Sequence, residues 1–341
     1  GCEKSHPYQE ENQDSPRQPA ALSARSTYLS CVDCHSVELP DGNDSLPDTS
    51  VAGLSAVCNV NRILGVCGVS IFGEFLCVSD NSLPRSMLIT DDFAELRRSV
   101  ATARREGQLI GCVPTMGALH AGHTSLMDQA RSECDFVIAT LFVNPTRFGP
   151  QEDLQKYPRP FGADREKCRA ARVDLLFRPA ADAMYPPGFA TFVHVEGLTT
   201  NFEGAVRPWH FRGVTTIVTK LLNLTQPDKA YFGQKDFQQQ AIIRRMCRDL
   251  DIPTEIITCP TVRDSDGLAL SSRNAYLSSS ERASGLSLYR ALCLARDNVK
   301  SGEQNLNAIR LAMRAEMEQT PGVAVDYATI ADSDSLVELT E

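Results

Sequence analysis

From Met87 onward the apolar positions switch repeatedly between two periods. Residues 91–106 place Phe93, Leu96, Val100 and Ala103 on one helical face, and Gly107 closes the element. A short apolar run at 109–113 predicts a buried strand, 124–133 a helix, and the continuous apolar run at 136–143 a second buried strand. The same alternation predicts helices at 164–172, 213–224 and 237–249 and strands at 173–177, 229–232 and 255–258. Strands alternating with helices predict a Rossmann-like parallel sheet flanked by helices, an α/β fold. Ligands of such sheets lie beyond the carboxyl ends of the strands. The segments 114–123, 144–148 and 233–239 each follow a predicted strand and should converge there.

After Thr261 the pattern changes. A loop leads to helices at about 280–299 and 305–318 and a strand at 323–329. This predicts a smaller C-terminal α+β domain over 262–341, following a nucleotide-binding domain over 87–261. Residues 1–50 are rich in Ser, Pro, Gln, Asp and Asn and show neither period, so 1–86 reads as a largely disordered extension, with a strand pair expected within 51–79.

Charge and composition narrow the function. The chain of 341 residues has a net charge of −9, which argues against a general nucleic-acid binder. Residues 1–86 carry −6 of it. No run of 18 or more apolar residues is present, so no membrane-spanning helix is expected. Several of the twelve cysteines, such as Cys112 and Cys259, sit in apolar runs and read as reduced, buried residues of a cytoplasmic protein. Cys31-Val32-Asp33-Cys34-His35 fits the haem-attachment pattern, but that reading requires export and conflicts with nucleotide chemistry elsewhere.

Three patches carry the chemistry. Pro114-Thr115-Met116-Gly117-Ala118-Leu119-His120-Ala121-Gly122-His123 reads as a strand entering a glycine-bearing turn and a helix. It offers backbone N–H groups and two imidazoles, His120 and His123, to phosphate. Gly233, Lys235 and Asp236 follow another strand, giving a cation for phosphate and a carboxylate for Mg²⁺. Ser271, Ser272 and Arg273 lie in the loop after Val262, with Gly267 as a hinge, and could close over a triphosphate. Asn144 ends a buried strand as an orienting donor, and Glu203, Arg207 and His210 cluster around Trp209.

In order, these motifs resemble the pantothenate synthetase family over about residues 87–341: P-T-M-G-x-L-H-x-G-H, F-V-N-P, Y-P-R, H-F-x-G-V, F-G-x-K-D-F-Q-Q and D-G-L-A-x-S-S-R-N. The resemblance implies a nucleotidylyltransferase-type fold with a C-terminal lid, and ATP-dependent condensation of pantoate with β-alanine through pantoyl adenylate. It implies His120, His123, Lys235, Ser271, Ser272 and Arg273 as catalytic, with Pro114, Met116, Gly117, Gly233, Asp236 and Val262 completing the ATP site. It further implies Met116, Asn144, Arg147 and Gln239 around pantoate, Asp164 as the Mg²⁺ partner, and a homodimer. Met87 is similar to how members begin, and members continue past a position like Glu341, implying a shortened lid with an exposed sheet edge. Arg147 stands where the family has glutamine, which leaves a relative acting on another hydroxy acid or a phosphorylated acid, or an impaired homologue, as the alternatives. No recognisable site residue precedes residue 87, so deletion of 1–86 is expected to leave activity intact.

Overall fold

The computed structural model describes residues 27–31, 34–38, 86–149 and 152–340. Nine strands are described: β1 (Thr27–Cys31), β2 (Cys34–Glu38), β3 (Leu88–Thr90), β4 (Ile110–Thr115), β5 (Phe136–Leu141), β6 (Leu175–Phe177), β7 (Lys229–Gly233), β8 (Glu255–Cys259) and β9 (Ala331–Asp332). The described helices are α1 (Phe93–Arg105), α2 (Ala121–Glu133), α3 (Phe161–Ala170), α4 (Ala181–Met184), α5 (Glu203–Val206), α6 (His210–Thr225), α7 (Phe237–Asp249), α8 (Ser279–Lys300) and α9 (Leu306–Glu318).

Six strands form one parallel sheet in the order β3-β6-β5-β4-β7-β8. From β4 the chain winds outward through β5 and β6 on one side and reappears as β7 and β8 on the other. The order therefore reverses between β4 and β7, where a crevice opens at the carboxyl ends. One face is covered by α1, α6 and α7 through Leu96, Val100, Phe211, Leu221 and Ile242. The other is covered by α2 and α3 through Leu126, Met127, Ala130 and Cys168. Helix α1 starts where Asp92 accepts from the amides of Ala94 and Glu95. A third cluster, built on Ala291, Leu292, Ile309 and Met313, packs α8 against α9 as a separate small unit. Among the described residues no helix is long and apolar enough to cross a membrane.

The helices at 91–106, 237–249, 280–299 and 305–318 fall within a residue or two of expectation, whereas α2 and α3 each begin three residues earlier than predicted. β3 is an unexpected edge strand, too short to show a period. The strand expected at 323–329 is not formed. That segment is irregular, and its Val323, Val325 and Ala328 pack on the α8–α9 cluster without a ladder. β9 follows it, and its edge, expected to be open, pairs antiparallel with β1 of the β1–β2 hairpin. That hairpin lies in a stretch where no strand was expected; the strand pair expected within 51–79 lies outside the described residues.

Candidate active site

The loop after β4 is held in an uncommon backbone shape. Gly117 (φ 84°) and Ala118 (φ 51°) both sit in the left-handed region. Asp164, on the first turn of α3 and 2% exposed, holds that shape: its carboxylate oxygens accept from the amides of Ala118 (2.9 Å) and Leu119 (2.8 Å). Lys167, one turn on, donates to the Leu119 carbonyl. The loop thus delivers His120 to the start of α2.

There the two imidazoles form a reciprocal cap. His120 Nδ1 accepts from the amide of Gly122 (3.2 Å), and His123 Nδ1 accepts from the amide of His120 (3.3 Å). The rings lie 4.0 Å apart. An Nδ1 that accepts carries no proton, so each ring's proton is on Nε2, an assignment made from this network. Burial first, then nearby cations, lowers the His120 pKa to about 4. Burial and His120 itself lower His123 to about 3. At neutral pH the pair is two neutral donors that still leave the helix start attractive to phosphate.

β7 delivers the opposite wall. It ends in a 3-10 turn, Gln234–Asp236, where Lys235 Nζ lies 3.3 Å from the Asp236 carboxylate. Burial pushes the Asp236 carboxyl up, but Lys235 and Arg147 outweigh it and hold it below its ordinary value. The loop bearing Ser271–Arg273 closes the third side. Ser271 caps a 3-10 turn by accepting from the Arg273 amide. Arg273 makes a two-pronged ion pair with Asp153, both contacts 3.2 Å. Tyr157 bridges the loops: its hydroxyl lies 3.3 Å from Ser272 Oγ and donates to the Gly117 carbonyl at 3.4 Å.

The fourth side is the turn after β5. Asn144, 1% exposed, donates to the Gly213 carbonyl and accepts from Thr146, so its amide is spent on the turn. α6 approaches so closely that a Cβ on Gly213 would lie 2.3 Å from the Thr146 carbonyl oxygen. Arg147 Nη2 donates to Gln239 Oε1 (2.9 Å), and Nη1 faces Met116 Sδ at 3.5 Å. Behind it, Arg207 joins Glu152 and Glu203 and donates to the Arg147 carbonyl. His210 Nδ1 lies 3.2 Å from the same carbonyl, which can only accept. Burial and the two arginines lower the His210 pKa to about 3.

These walls enclose a cavity of about 810 Å³ at the β4–β7 crevice. Its lining includes Pro114, Met116, His120, His123, Asn144, Arg147, Gly233, Lys235, Asp236, Gln239, Val262, Ser271, Ser272 and Arg273. Gly117 and Asp164 are the two expected site residues outside that lining. For Gly117 the reason is its role in the turn. For Asp164 this departs from the expected metal role: its oxygens face loop amides, in a buried pocket. Glu152, Asp153 and Tyr157 line the cavity and were not singled out as site residues; the Y-P-R motif containing Tyr157 was the available signal. Among the described residues no three His, Cys, Asp or Glu side chains cluster as metal ligands.

The family model for pantoate–β-alanine ligase matches residues 88–341. A pantothenate synthetase of Moorella thermoacetica is 54% identical over 253 residues, covering 74% of this chain and 89% of its own. A pantothenate synthetase structure from Thermus thermophilus superposes with a TM-score of 0.70 at 46% identity, covering 75% of this chain and 91% of that one. A pantoate–β-alanine ligase from Francisella tularensis, complexed with a β-γ ATP compound and β-alanine, gives 0.60 at 38% identity, covering 68% and 86%. The chain belongs to the pantoate–β-alanine ligase family.

Proposed function

We propose that this chain condenses pantoate with β-alanine at the expense of ATP, through an acyl adenylate. The observation that carries the reading is the meeting of two neutral imidazole donors, Lys235 and Arg273 around one cavity at the sheet's switch point. A pantoate carboxylate oxygen attacks the α-phosphorus. The bond from that phosphorus to the β-phosphate bridge breaks, and pyrophosphate leaves with the electron pair. The amine of β-alanine then attacks the acyl carbon, the carbon–oxygen bond to AMP breaks, and a proton is released.

Charge accumulates on phosphate oxygens in the first step. His120 and His123 Nε2–H groups, Lys235 and Arg273 are the donors suited to it, and they are positioned before the reaction begins. Ser271, Ser272 and the backbone near Gly233 and Val262 complete the nucleotide grip, while Met116, Arg147 and Gln239 form the acid pocket on the turn that Asn144 holds. No protein nucleophile is required. Burial pushes the Cys112 and Cys168 thiols to about 12 and those of Cys247 and Cys259 to about 11, so none offers a thiolate.

Mg²⁺ fits as a partner of the triphosphate, because Asp236 lines the cavity with its carboxyl held below its ordinary value and would offer it beside the phosphates. When bound, it would neutralise phosphate charge. We place the reaction in the cytoplasm, where ATP is supplied, and in a homodimer. The reading is tested by measuring pyrophosphate release from MgATP and pantoate. Release without β-alanine, and AMP with pantothenate on its addition, is the expected result; no pantoate-dependent release contradicts it.

A further inference from the structure

Most cations of the cavity have a built-in counterpart. Lys235 lies against Asp236, Arg207 between Glu152 and Glu203, and Arg273 against Asp153. Arg263 has its charge over the Tyr289 ring, 4.4 Å from the centroid. Arg147 has neither a carboxylate within ion-pair distance nor a ring among the described residues. Its Nε is buried without a hydrogen-bond partner, and Nη1 faces a thioether, a weak acceptor. Burial accordingly lowers its pKa from the ordinary arginine value.

Apart from the longer-range pull of Asp236, nothing among the described residues compensates this half-buried guanidinium, and a ligand anion would do so. The corner around it is also rich in donors. Nη2 spends one N–H on Gln239 Oε1; Arg147 Nε, Nη1 and the second Nη2 proton and Gln239 Nε2 remain as donors, against one remaining lone pair on Gln239 Oε1. A hydroxyl placed here could accept from the guanidinium and donate to Gln239 Oε1, but it brings only a dipole to the cation. A carboxylate or phosphate accepts from several of these donors and brings charge, and a guanidinium meets such a group in a two-pronged fork. The reacting carboxylate is a poor occupant, because lone pairs held in that fork are withdrawn from attack on phosphorus.

We propose that Arg147 is a specificity-determining residue that receives a second anionic group, so that this site adenylates acids carrying a carboxylate or phosphate besides the reacting carboxylate. The inference rests on the adenylating reading above. The bonds made and broken are the same: oxygen to α-phosphorus forms, and α-phosphorus to pyrophosphate breaks.

The test is pyrophosphate release from MgATP by the full chain, without amine, with three acids. They are pantoate, pantoate phosphorylated on its primary hydroxyl, and the diacid in which that hydroxymethyl group is a carboxylate. The expected result is kcat/KM for at least one dianionic acid equal to or above that for pantoate. Whether the phosphate or the diacid leads identifies the anion. Arg147→Gln should lower the ratio of dianionic acid to pantoate by about tenfold or more, through loss of a charge-assisted fork. Arg147→Lys, which keeps charge but not the fork, should lower it less, and serves if the glutamine variant does not fold. Turnover of pantoate with neither dianionic acid accepted, or a ratio unchanged in both variants, overturns the proposal and leaves the adenylating reading intact. Silence with all three acids contradicts that reading itself.

Discussion

Replacing Asp164 with asparagine separates two roles for this residue. In the structure its two oxygens accept from Ala118 and Leu119, at 2.9 and 2.8 Å, in a pocket where the side chain is 2% exposed. Asparagine keeps one acceptor and turns an NH₂ toward an amide that is itself a donor. One hydrogen bond to a charged group is worth about 1.5–3 kcal/mol, and the orphaned amide adds a desolvation cost, so a loss of about 3 kcal/mol is expected. For a domain of this size that lowers the melting temperature by about 6–12 °C. The loop that carries His120 into α2 should slacken too, so kcat falls while the Mg²⁺ concentration for half-maximal rate stays unchanged. Thermal unfolding and a magnesium titration of the rate, on parent and Asp164→Asn, make the comparison. A melting temperature within a degree or two of the parent, together with a strongly raised magnesium requirement, would refute the argument and restore Asp164 as a metal partner.

The histidines set an acid limit to stability. His120, His123 and His210 have folded pKa values near 4, 3 and 3, below the unfolded value of 6.5, so the unfolded chain binds more protons as pH falls. Stability should be full above about pH 6.5 and decline toward pH 4; urea unfolding at pH 5 should show a loss of about 3 kcal/mol after allowance for partial exposure. A flat profile from pH 7 to 5 would contradict the caps. Gly213→Ala forces a Cβ to within 2.3 Å of the Thr146 carbonyl and should cost at least about 2 kcal/mol in chemical denaturation. Gly162→Ala, in α3 with open space around it, should be neutral or gain up to about 1 kcal/mol. Tyr157→Phe removes the link between Gly117 and Ser272, so the KM for ATP should rise several-fold with melting little changed; an unchanged KM would deny the bridge a role.

The sheet was legible because buried parallel strands and amphipathic helices write different periods into the chain, and α1, α7, α8 and α9 show the helical one plainly. The site was legible where a polar side chain sits in a loop or turn among motif residues, as His120 and His123 after β4, Lys235 after β7 and Arg273 in the Ser271–Arg273 loop do. Spacing cannot show how a polar group spends its hydrogen bonds. Asn144 and Asp164 both carry site-like chemistry, yet the first is committed to a turn and the second to a loop's amides. Nor can it show pairings across long sequence separation, such as Asp153 with Arg273 or Tyr157 with Ser272, which exist only once the Ser271–Arg273 loop packs against the 153–157 segment. The apolar spacing at 323–329 reads like a strand because burial on one side of an extended segment produces a similar pattern whether or not a neighbouring ladder exists.

The central claim is that the pantoate carboxylate itself attacks the α-phosphorus. Pantoate carrying a heavy-oxygen label in both carboxylate positions, incubated with MgATP, β-alanine and the protein, tests it directly by mass analysis of the AMP formed. The account predicts AMP with one labelled oxygen and pantothenate with the other. Unlabelled AMP beside pantothenate, or ADP and phosphate in its place, would contradict it.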